Sequence, residues 1–161
     1  MKMHFGVMTA LITPLLNDGI TLNEKAYVEI IEDQIKNGVH SLLTMGGTGE
    51  SLTLPRETKK RAMELAVKTV NHRGPVIASV VELSVYDAIE SAKVVKESGA
   101  DVLLLSNPYG GNTRLSGVID FFKMGDDAVD MPMIIYNFPG RTGYNVTPDI
   151  VGKLLDAVPN I

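Results

Sequence analysis

The chain has 161 residues and no cysteine, with 45 % hydrophobic residues, 21 % charged residues and a formal net charge of −4. This length suits one domain with a sizeable core, and a charged fraction near the globular average of about 25 % argues against a disordered chain. The mild acidity argues against nucleic acid or an anionic membrane surface as a partner, and the lack of cysteine excludes disulfides and thiolate sites. Because no leader pattern and no apolar run of about 18 residues is found, we expect a cytoplasmic protein.

Short apolar runs typical of buried strands alternate with segments whose apolar residues recur at helical spacing. The predicted strands are 6–13, 41–46, 75–80, 101–106 and 131–137. The predicted helices lie near 22–36, 115–128 and 148–158, and two further helical segments contain the periodic apolar positions within 62–69 and 85–95. Ser84 and Thr147 are predicted N-caps, while Pro55 and Pro148 are placed in first helical turns.

The architecture follows from the character and the number of these units. The strands are almost continuously apolar, which is typical of parallel strands covered on both faces. Gly38 and Gly99 each stand between a helix and a strand, where glycine commonly ends the helix. Repeated βα units fit either an open doubly wound sheet or a (β/α)8 barrel. Five units, against the eight units and about 250 residues of a barrel, favour the open sheet on this evidence alone.

In both architectures, functional sites form at the carboxyl ends of the strands. The second strand is followed by Gly-Gly-Thr-Gly-Glu-Ser at 46–51. Its backbone amides can converge on an anion, and Thr48 adds a hydroxyl donor. Nucleotide-binding fingerprints do not match, because the Gly-Lys-Ser/Thr ending and the dinucleotide spacing are absent. The motif is therefore either a cradle for a small carboxylate or phosphate, or a tight turn.

Tyr136 stands at the carboxyl end of the fifth predicted strand and is followed by Asn-Phe-Pro-Gly-Arg-Thr-Gly, in which Arg141 lies on a predicted Pro-Gly turn. A phenol at this position can shuttle a proton, and Arg141 can clamp a carboxylate through two hydrogen bonds. Each residue alone also has a structural interpretation, as a tyrosine capping the core or an arginine in solvent. Together they favour a site for an acidic metabolite. Tyr109, after the fourth strand, either lines the same mouth or belongs to a plain loop.

A metal site is not predicted, because the three histidines lack the spacing of a ligand set. They are His4, His40 and His72.

The order of these motifs resembles the dihydrodipicolinate synthase/N-acetylneuraminate lyase family. The evidence is Gly-Gly-Thr-Gly-Glu-Ser after strand two, Asn-Pro-Tyr after strand four and Tyr-Asn-Phe-Pro-Gly-Arg-Thr-Gly at strand five, with 6–14 similar to the family's first strand. Contrary to the strand count, the resemblance implies a (β/α)8 TIM barrel. Residues 1–161 are then the N-terminal part of one barrel domain, about five βα units that end before strand six.

The resemblance also implies a chemistry, a Schiff-base lyase or synthase that needs no metal or organic cofactor. A lysine condenses with pyruvate or another 2-oxo acid, and the resulting enamine adds to an aldehyde, or the reverse cleavage occurs. By resemblance, Tyr136 is the proton shuttle, and the Gly47 and Thr48 amides with the Thr48 hydroxyl hold the 2-oxo acid carboxylate. Arg141 holds the carboxylate of an acidic partner such as aspartate semialdehyde. Relatives are commonly homotetramers, which implies a homo-oligomer.

The chain departs from the family pattern at three points. Gly47 replaces the first of two threonines, and Gly110 replaces the second of two tyrosines, which normally reaches a neighbouring subunit. The Schiff-base lysine is expected a few residues beyond Ile161. It is not among the ten lysines of the chain, because nine fall in predicted helices and Lys2 precedes the first strand.

Three functional hypotheses remain open. Arg141 favours a 4-hydroxy-tetrahydrodipicolinate synthase, which joins pyruvate to aspartate semialdehyde in lysine biosynthesis. Gly47 and Gly110 favour an aldolase or dehydratase of 2-oxo-3-deoxy sugar acids in the same family. The third hypothesis is a non-catalytic half-barrel. Because such a sheet exposes two strand edges, we expect the isolated chain to be poorly soluble or to associate.

Overall fold

A computed structural model describes residues 6–110 and 113–161. Its strands are β1 (Met8–Ala10), β2 (Ser41–Thr44), β3 (Val76–Val80), β4 (Val102–Ser106) and β5 (Met133–Tyr136). Its helices are α1 (Glu24–Lys36), α2 (Arg56–Val70), α3 (Val85–Glu97), α4 (Leu115–Val129), α5 (Pro139–Thr142) and α6 (Pro148–Ala157). In these ranges no helix is long and apolar enough to cross a membrane.

The five strands form one parallel sheet in the order of the chain, β1-β2-β3-β4-β5. The register places Thr9 opposite Leu42, and Ser106 opposite Tyr136. A doubly wound sheet reverses its strand order at a switch point, whereas a (β/α)8 barrel adds every strand on the same side. The open doubly wound sheet favoured by the strand count is therefore wrong, because the order never reverses.

Apolar side chains cover both faces of this sheet. Leu103 and Leu105 belong to the main core, which the helices complete with residues such as Tyr27 and Phe122. Val102 and Leu104 point the other way, into a smaller cluster on the opposite face. The alternation along β4 explains why the strand is apolar throughout, as the sequence predicted for parallel strands.

One polar contact ties the first helix to the sheet inside the main core. The hydroxyl of Tyr27 on α1 lies 2.7 Å from Thr44 Oγ1 on β2. Burial raises the pKa of the Tyr27 phenol to about 12. The shared hydrogen bond lets α1 pack on β2 without leaving either hydroxyl unpaired.

The helix ends lie near their predicted positions, but some of the caps differ from the prediction. Ser84 is the N-cap of α3, and its Oγ accepts a hydrogen bond from the Asp87 amide at 3.4 Å. Thr147 is the N-cap of α6, but its side chain makes no cap hydrogen bond. Pro55 stands at the N-cap of α2, one position before the first turn where it was predicted. Gly38 and Gly99 have φ angles of 76° and 81°, as expected of glycines that end helices.

Strand boundaries are tighter than predicted, and one helical turn was missed. The predicted second strand, 41–46, stops at Thr44 because Met45 turns into the left-handed region at φ 57°. The turn after β5, read as an irregular Pro-Gly turn, is the short helix α5. Its proline lies in the first turn, a position that tolerates a missing amide hydrogen.

Candidate active site

The four residues predicted for the site line one cavity at the carboxyl ends of the strands. Gly47, Thr48, Tyr136 and Arg141 surround a volume of about 360 Å³, together with Ser79 and other residues of the sheet. A neighbouring cavity of about 230 Å³ shares three of these residues and adds Tyr109. The structure therefore brings together residues from β2, β4 and β5 that are far apart in the sequence.

The loop at 46–51, here called the glycine-rich loop, is held by its own backbone. The Gly49 amide donates to Gly46 O at 3.0 Å, and the Glu50 amide donates to Gly47 O at 3.2 Å. Thr13 Oγ1, three residues after β1, donates to Gly49 O at 2.8 Å. Glu50 itself adopts a left-handed φ of 58°, so the loop is a tightly folded turn.

This folding leaves two amides free to bind a ligand. Among the described residues, neither the Gly47 N–H nor the Thr48 N–H donates a hydrogen bond to another group. Both residues are exposed at the cavity. Adjacent unpaired amides in a turn form a concave site for an anion. The loop thus has the donors that a small carboxylate needs.

Two glycines of this loop have different structural roles. A Cβ at Gly49 would lie 3.1 Å from Leu11 O and 3.2 Å from Thr13 Oγ1, so close packing excludes a side chain. At Gly47 the φ angle is not left-handed, and an added Cβ would meet only Arg141 Nη1 at 3.4 Å. Glycine at position 47 therefore leaves space in the cavity, and the guanidinium of Arg141 lies at the edge of that space.

An aromatic ring supports the two functional side chains that follow β5. Phe138 packs edge-on against Tyr136, with ring centroids 5.9 Å apart. The guanidinium carbon of Arg141 lies 5.3 Å from the centroid of the same ring, within range of a cation–π interaction. Arg141 makes no ion pair with a described carboxylate, so its charge is available to a ligand.

An asparagine network, which the sequence analysis missed, holds the segment that carries Arg141. Asn137 Oδ1 accepts from the Val146 amide at 3.0 Å and from Asn107 Nδ2 at 3.3 Å. Asn137 Nδ2 donates to Val146 O at 3.1 Å and to Asn145 Oδ1 at 3.0 Å. One side chain thus closes the turn from β5 to α6 and joins it to the end of β4. Its sequence signal was an asparagine as the last residue of the predicted fifth strand.

Tyr109 lies at the mouth of the site, the alternative that the sequence had left open. Burial raises the pKa of its phenol, while the positive charge of Arg141 opposes this effect. The amide of the next residue, Gly110, donates to Thr142 O at 3.3 Å and so joins the β4 loop to α5. Gly110 has a φ of 121°, a conformation that a side chain rarely adopts.

The lysines lie where the sequence predicted. The nine in the described residues are all helical: Lys25, Lys36, Lys59, Lys60, Lys68, Lys93, Lys96, Lys123 and Lys153. Lys2 and His4 lie outside the described residues. The described part of the chain therefore places no lysine amine at the carboxyl end of a strand.

Comparison with known proteins agrees with this fold. The model of the dihydrodipicolinate synthetase family matches residues 3–161. The 4-hydroxy-tetrahydrodipicolinate synthase of Desulfotalea psychrophila is 41 % identical over 154 residues, which are 96 % of this chain and 51 % of that enzyme. The chain thus spans about half the length of the curated relatives it matches.

Solved structures give the same result. Dihydrodipicolinate synthase from Aquifex aeolicus superposes with a TM-score of 0.90 at 35 % identity, over 97 % of this chain and 53 % of that one. The chloride-inhibited synthase from Acinetobacter baumannii, complexed with pyruvate, gives 0.92 at 34 % identity, over 99 % and 54 %. These matches confirm the fold that the resemblance implied, a partial (β/α)8 barrel of about five units. The chain belongs to the dihydrodipicolinate synthetase family.

Proposed function

We propose that the protein containing this chain is a lyase or synthase that forms a Schiff base with a 2-oxo acid. The observation that carries the proposal is the convergence of the free Gly47 and Thr48 amides, the Tyr136 phenol and the unpaired Arg141 on one cavity. An anion cradle beside a proton-transfer group suits a reactant with a carboxylate next to a ketone. The relative from Acinetobacter baumannii was solved with pyruvate, a compound of that class.

Each group has one proposed role in the reaction. The two amides and the Thr48 hydroxyl hold the carboxylate, which fixes the ketone carbon for attack by a lysine amine as water leaves. Tyr136 carries protons as the imine loses one from the neighbouring carbon and becomes an enamine. The enamine carbon then bonds to the carbonyl carbon of an aldehyde, whose C=O π bond opens as the oxygen takes up a proton carried by Tyr136. Water finally hydrolyses the re-formed imine and frees the lysine. We propose that residues 1–161 form the first part of the barrel domain, and that the lysine lies outside these residues.

Arg141 supports an acidic aldehyde as the second reactant. A guanidinium with no carboxylate partner among the described residues binds a carboxylate through parallel hydrogen bonds. Aspartate semialdehyde has such a group, so the favoured activity is that of a 4-hydroxy-tetrahydrodipicolinate synthase, a step of lysine biosynthesis. The similarity to enzymes of that name supports the assignment.

Gly47 supports a second candidate, an aldolase or dehydratase acting on 2-oxo-3-deoxy sugar acids. Position 47 has no hydroxyl, and the space beside it is bounded by Arg141 Nη1. A larger, hydroxylated 2-oxo acid needs more room and more polar contacts than pyruvate does. The two candidates share the Schiff base and differ in the 2-oxo acid that forms it and in the bond that is then made or broken.

Two experiments on the full-length protein test the proposal. Incubation with pyruvate and borohydride should produce one trapped pyruvate on one lysine by intact mass spectrometry, whereas acetate, which has no ketone, should leave the mass unchanged. Steady-state assays should then show turnover of pyruvate with aspartate semialdehyde in preference to 2-oxo-3-deoxy sugar acids. Absence of any adduct would refute the Schiff base, and turnover of sugar acids alone would select the second candidate.

The proposed assembly and location follow from the family resemblance. We propose a homo-oligomer in the cytoplasm, in keeping with a mildly acidic chain without cysteine. Sedimentation velocity of the full-length protein should show a species heavier than one chain at micromolar concentration. A monomer over the whole concentration range would contradict the proposed assembly.

A further inference from the structure

Two buried hydroxyl groups behind the glycine-rich loop have no hydrogen-bond partner in the part of the chain that the structure describes. Ser51 is the last residue of the loop and Ser79 lies on β3, and each is only 3 % exposed. Neither Oγ atom makes a hydrogen bond with any described residue. Buried hydroxyls are normally paired with protein or with ordered water, so two orphans in one place need a ligand.

The two hydroxyls border the same small cavity. Ser51 and Ser79 line a space of about 10 Å³, together with Glu82 and Ser91. That volume is the size of one water molecule, which requires about 10–15 Å³. Most of the wall is apolar, and the Glu82 carboxylate in it is already paired, since it accepts hydrogen bonds from Lys59 Nζ at 2.7 Å and from Ser91 Oγ at 2.8 Å. The two serine hydroxyls are therefore the polar groups of this wall that still lack a partner among the described residues.

The position of the cavity indicates what such a ligand does. The glycine-rich loop is joined to the segment that follows β1 by the Thr13–Gly49 hydrogen bond of 2.8 Å. Among the described residues, no direct hydrogen bond joins the loop to β3, its neighbour on the other side. A molecule bound to both serines would supply the missing connection.

We propose that this cavity binds one ordered water molecule that bridges Ser51 and Ser79, and that both serines are positioning residues for the glycine-rich loop. The water fixes the loop against β3, and thereby fixes the Gly47 and Thr48 amides that face the substrate cavity. The effect on substrate rests on the proposed function, because the carboxylate that these amides hold is part of that proposal. The water site itself does not depend on it.

A crystal structure of the full-length protein, at a resolution that shows ordered water, tests the site directly. We expect one density peak within hydrogen-bond distance of Ser51 Oγ and Ser79 Oγ, and no peak in the Ser79→Ala variant. An empty cavity, or serine hydroxyls bonded directly to protein groups, would overturn the proposal. So would a peak with the short distances and higher ligand number of a metal cation.

Kinetics of the serine variants test the positioning role. Ser51→Ala and Ser79→Ala should each raise the KM for pyruvate about three- to tenfold, the effect of one lost hydrogen bond, with kcat little changed. The double variant should resemble either single variant, because all three lose the same water. Ser98→Ala is the matched control, since it removes an equally ordinary hydrogen bond, from Ser98 Oγ to Val95 O, far from the loop.

The possible failures are distinguishable. An unchanged KM in variants that have lost the water, or effects that add in the double variant, would refute the positioning role. A wild-type protein that neither binds nor turns over any 2-oxo acid would refute the proposed function. In that case the density between the two serines still decides whether the water site exists.

Discussion

The two loops that form the candidate site are built in opposite ways. The glycine-rich loop after β2 presents backbone amides and is shaped by its own short-range hydrogen bonds and by close packing at Gly49. The segment after β5 presents the side chains of Tyr136 and Arg141, and a network centred on Asn137 holds it. A loop that binds a ligand through backbone amides depends on residues without side chains. A loop that acts through side chains needs further side chains to hold the functional ones in place.

This difference predicts that substitutions in the second loop, the segment after β5, reduce catalytic activity the most. In the full-length protein, Tyr136→Phe should lower kcat by about 10²–10⁴-fold, because the ring stays packed on Phe138 while the proton shuttle is lost. Steady-state kinetics with the 2-oxo acid substrate measure this. Tyr86→Phe, at a side chain that is 80 % exposed, is the control and should leave kcat unchanged. A similar kcat in both variants would remove Tyr136 from the mechanism.

Loss of the Asn137 hydrogen-bond network should destabilise the second loop and leave the glycine-rich loop unchanged. Asn137→Ala leaves the Val146 amide without its acceptor and removes one of the two acceptors of Asn107 Nδ2, so it should lower the free energy of unfolding by about 1–3 kcal/mol. Urea denaturation measures it. Asn145→Ala is the matched control, since it removes only the 3.0 Å bond to Asn137 Nδ2 and should cost less. Equal losses would show that Asn137 is not the centre of the network.

The first loop should instead be sensitive to an added side chain. Gly49→Ala places a Cβ 3.1 Å from Leu11 O, and should lower the free energy of unfolding by about 1–2 kcal/mol, the lower part of the range for overpacking. Gly152→Ala is the control, because nothing lies within 4 Å of the added carbon in α6. That change should stabilise the protein by roughly 0.5–1 kcal/mol. Destabilisation by the control but not by Gly49→Ala would contradict the packing argument.

The smallest expected effect is on stability, and it comes from an ion pair that lies away from both loops. Two hydrogen bonds from Arg73, the shorter one 2.6 Å, hold the pKa of the Glu32 carboxyl below its usual range. Because the folded-state pKa is depressed, this pair stabilises the protein above the unfolded-state pKa of Glu32, and its contribution is lost as the pH falls through the folded value. Both groups are exposed, so the contribution is small.

Thermal melts at several pH values measure this difference. Glu32→Gln should melt slightly below wild type at neutral pH, and the two should converge at acidic pH. Glu29→Gln, whose carboxylate lies 4.0 Å from Lys25 on the same helix, is the matched control and should follow wild type throughout. A gap between Glu32→Gln and wild type that persists in acid would show that the ion pair is not its cause.

Much of the fold was predictable, because its signals are local. Apolar runs located the five strands, and Gly38 and Gly99 marked helix ends through conformations that glycine adopts readily. The strand order was not local information. Five βα units fit a doubly wound sheet as well as a barrel, and only pairing across the chain separates the two. The family resemblance supplied that answer where periodicity did not.

The candidate site was likewise predictable only in part. Gly47, Thr48, Tyr136 and Arg141 were named from their places after strands, and the structure brings them to one cavity. Asn137 was missed because its role depends on partners up to 30 residues away. The orphan hydroxyls of Ser51 and Ser79 were also beyond sequence reasoning, since the lack of a partner is visible only in three dimensions.

The unbroken strand order has a consequence for synthesis on the ribosome. Each strand pairs with the strand made just before it, from β1 with β2 through to β4 with β5. Each pairing spans 25–34 residues, which is one helix with its loops, so no strand of this sheet has to wait for a more distant segment before it finds a partner. The growing chain can therefore extend its sheet one βα unit at a time, keeping a single leading edge open to the next strand.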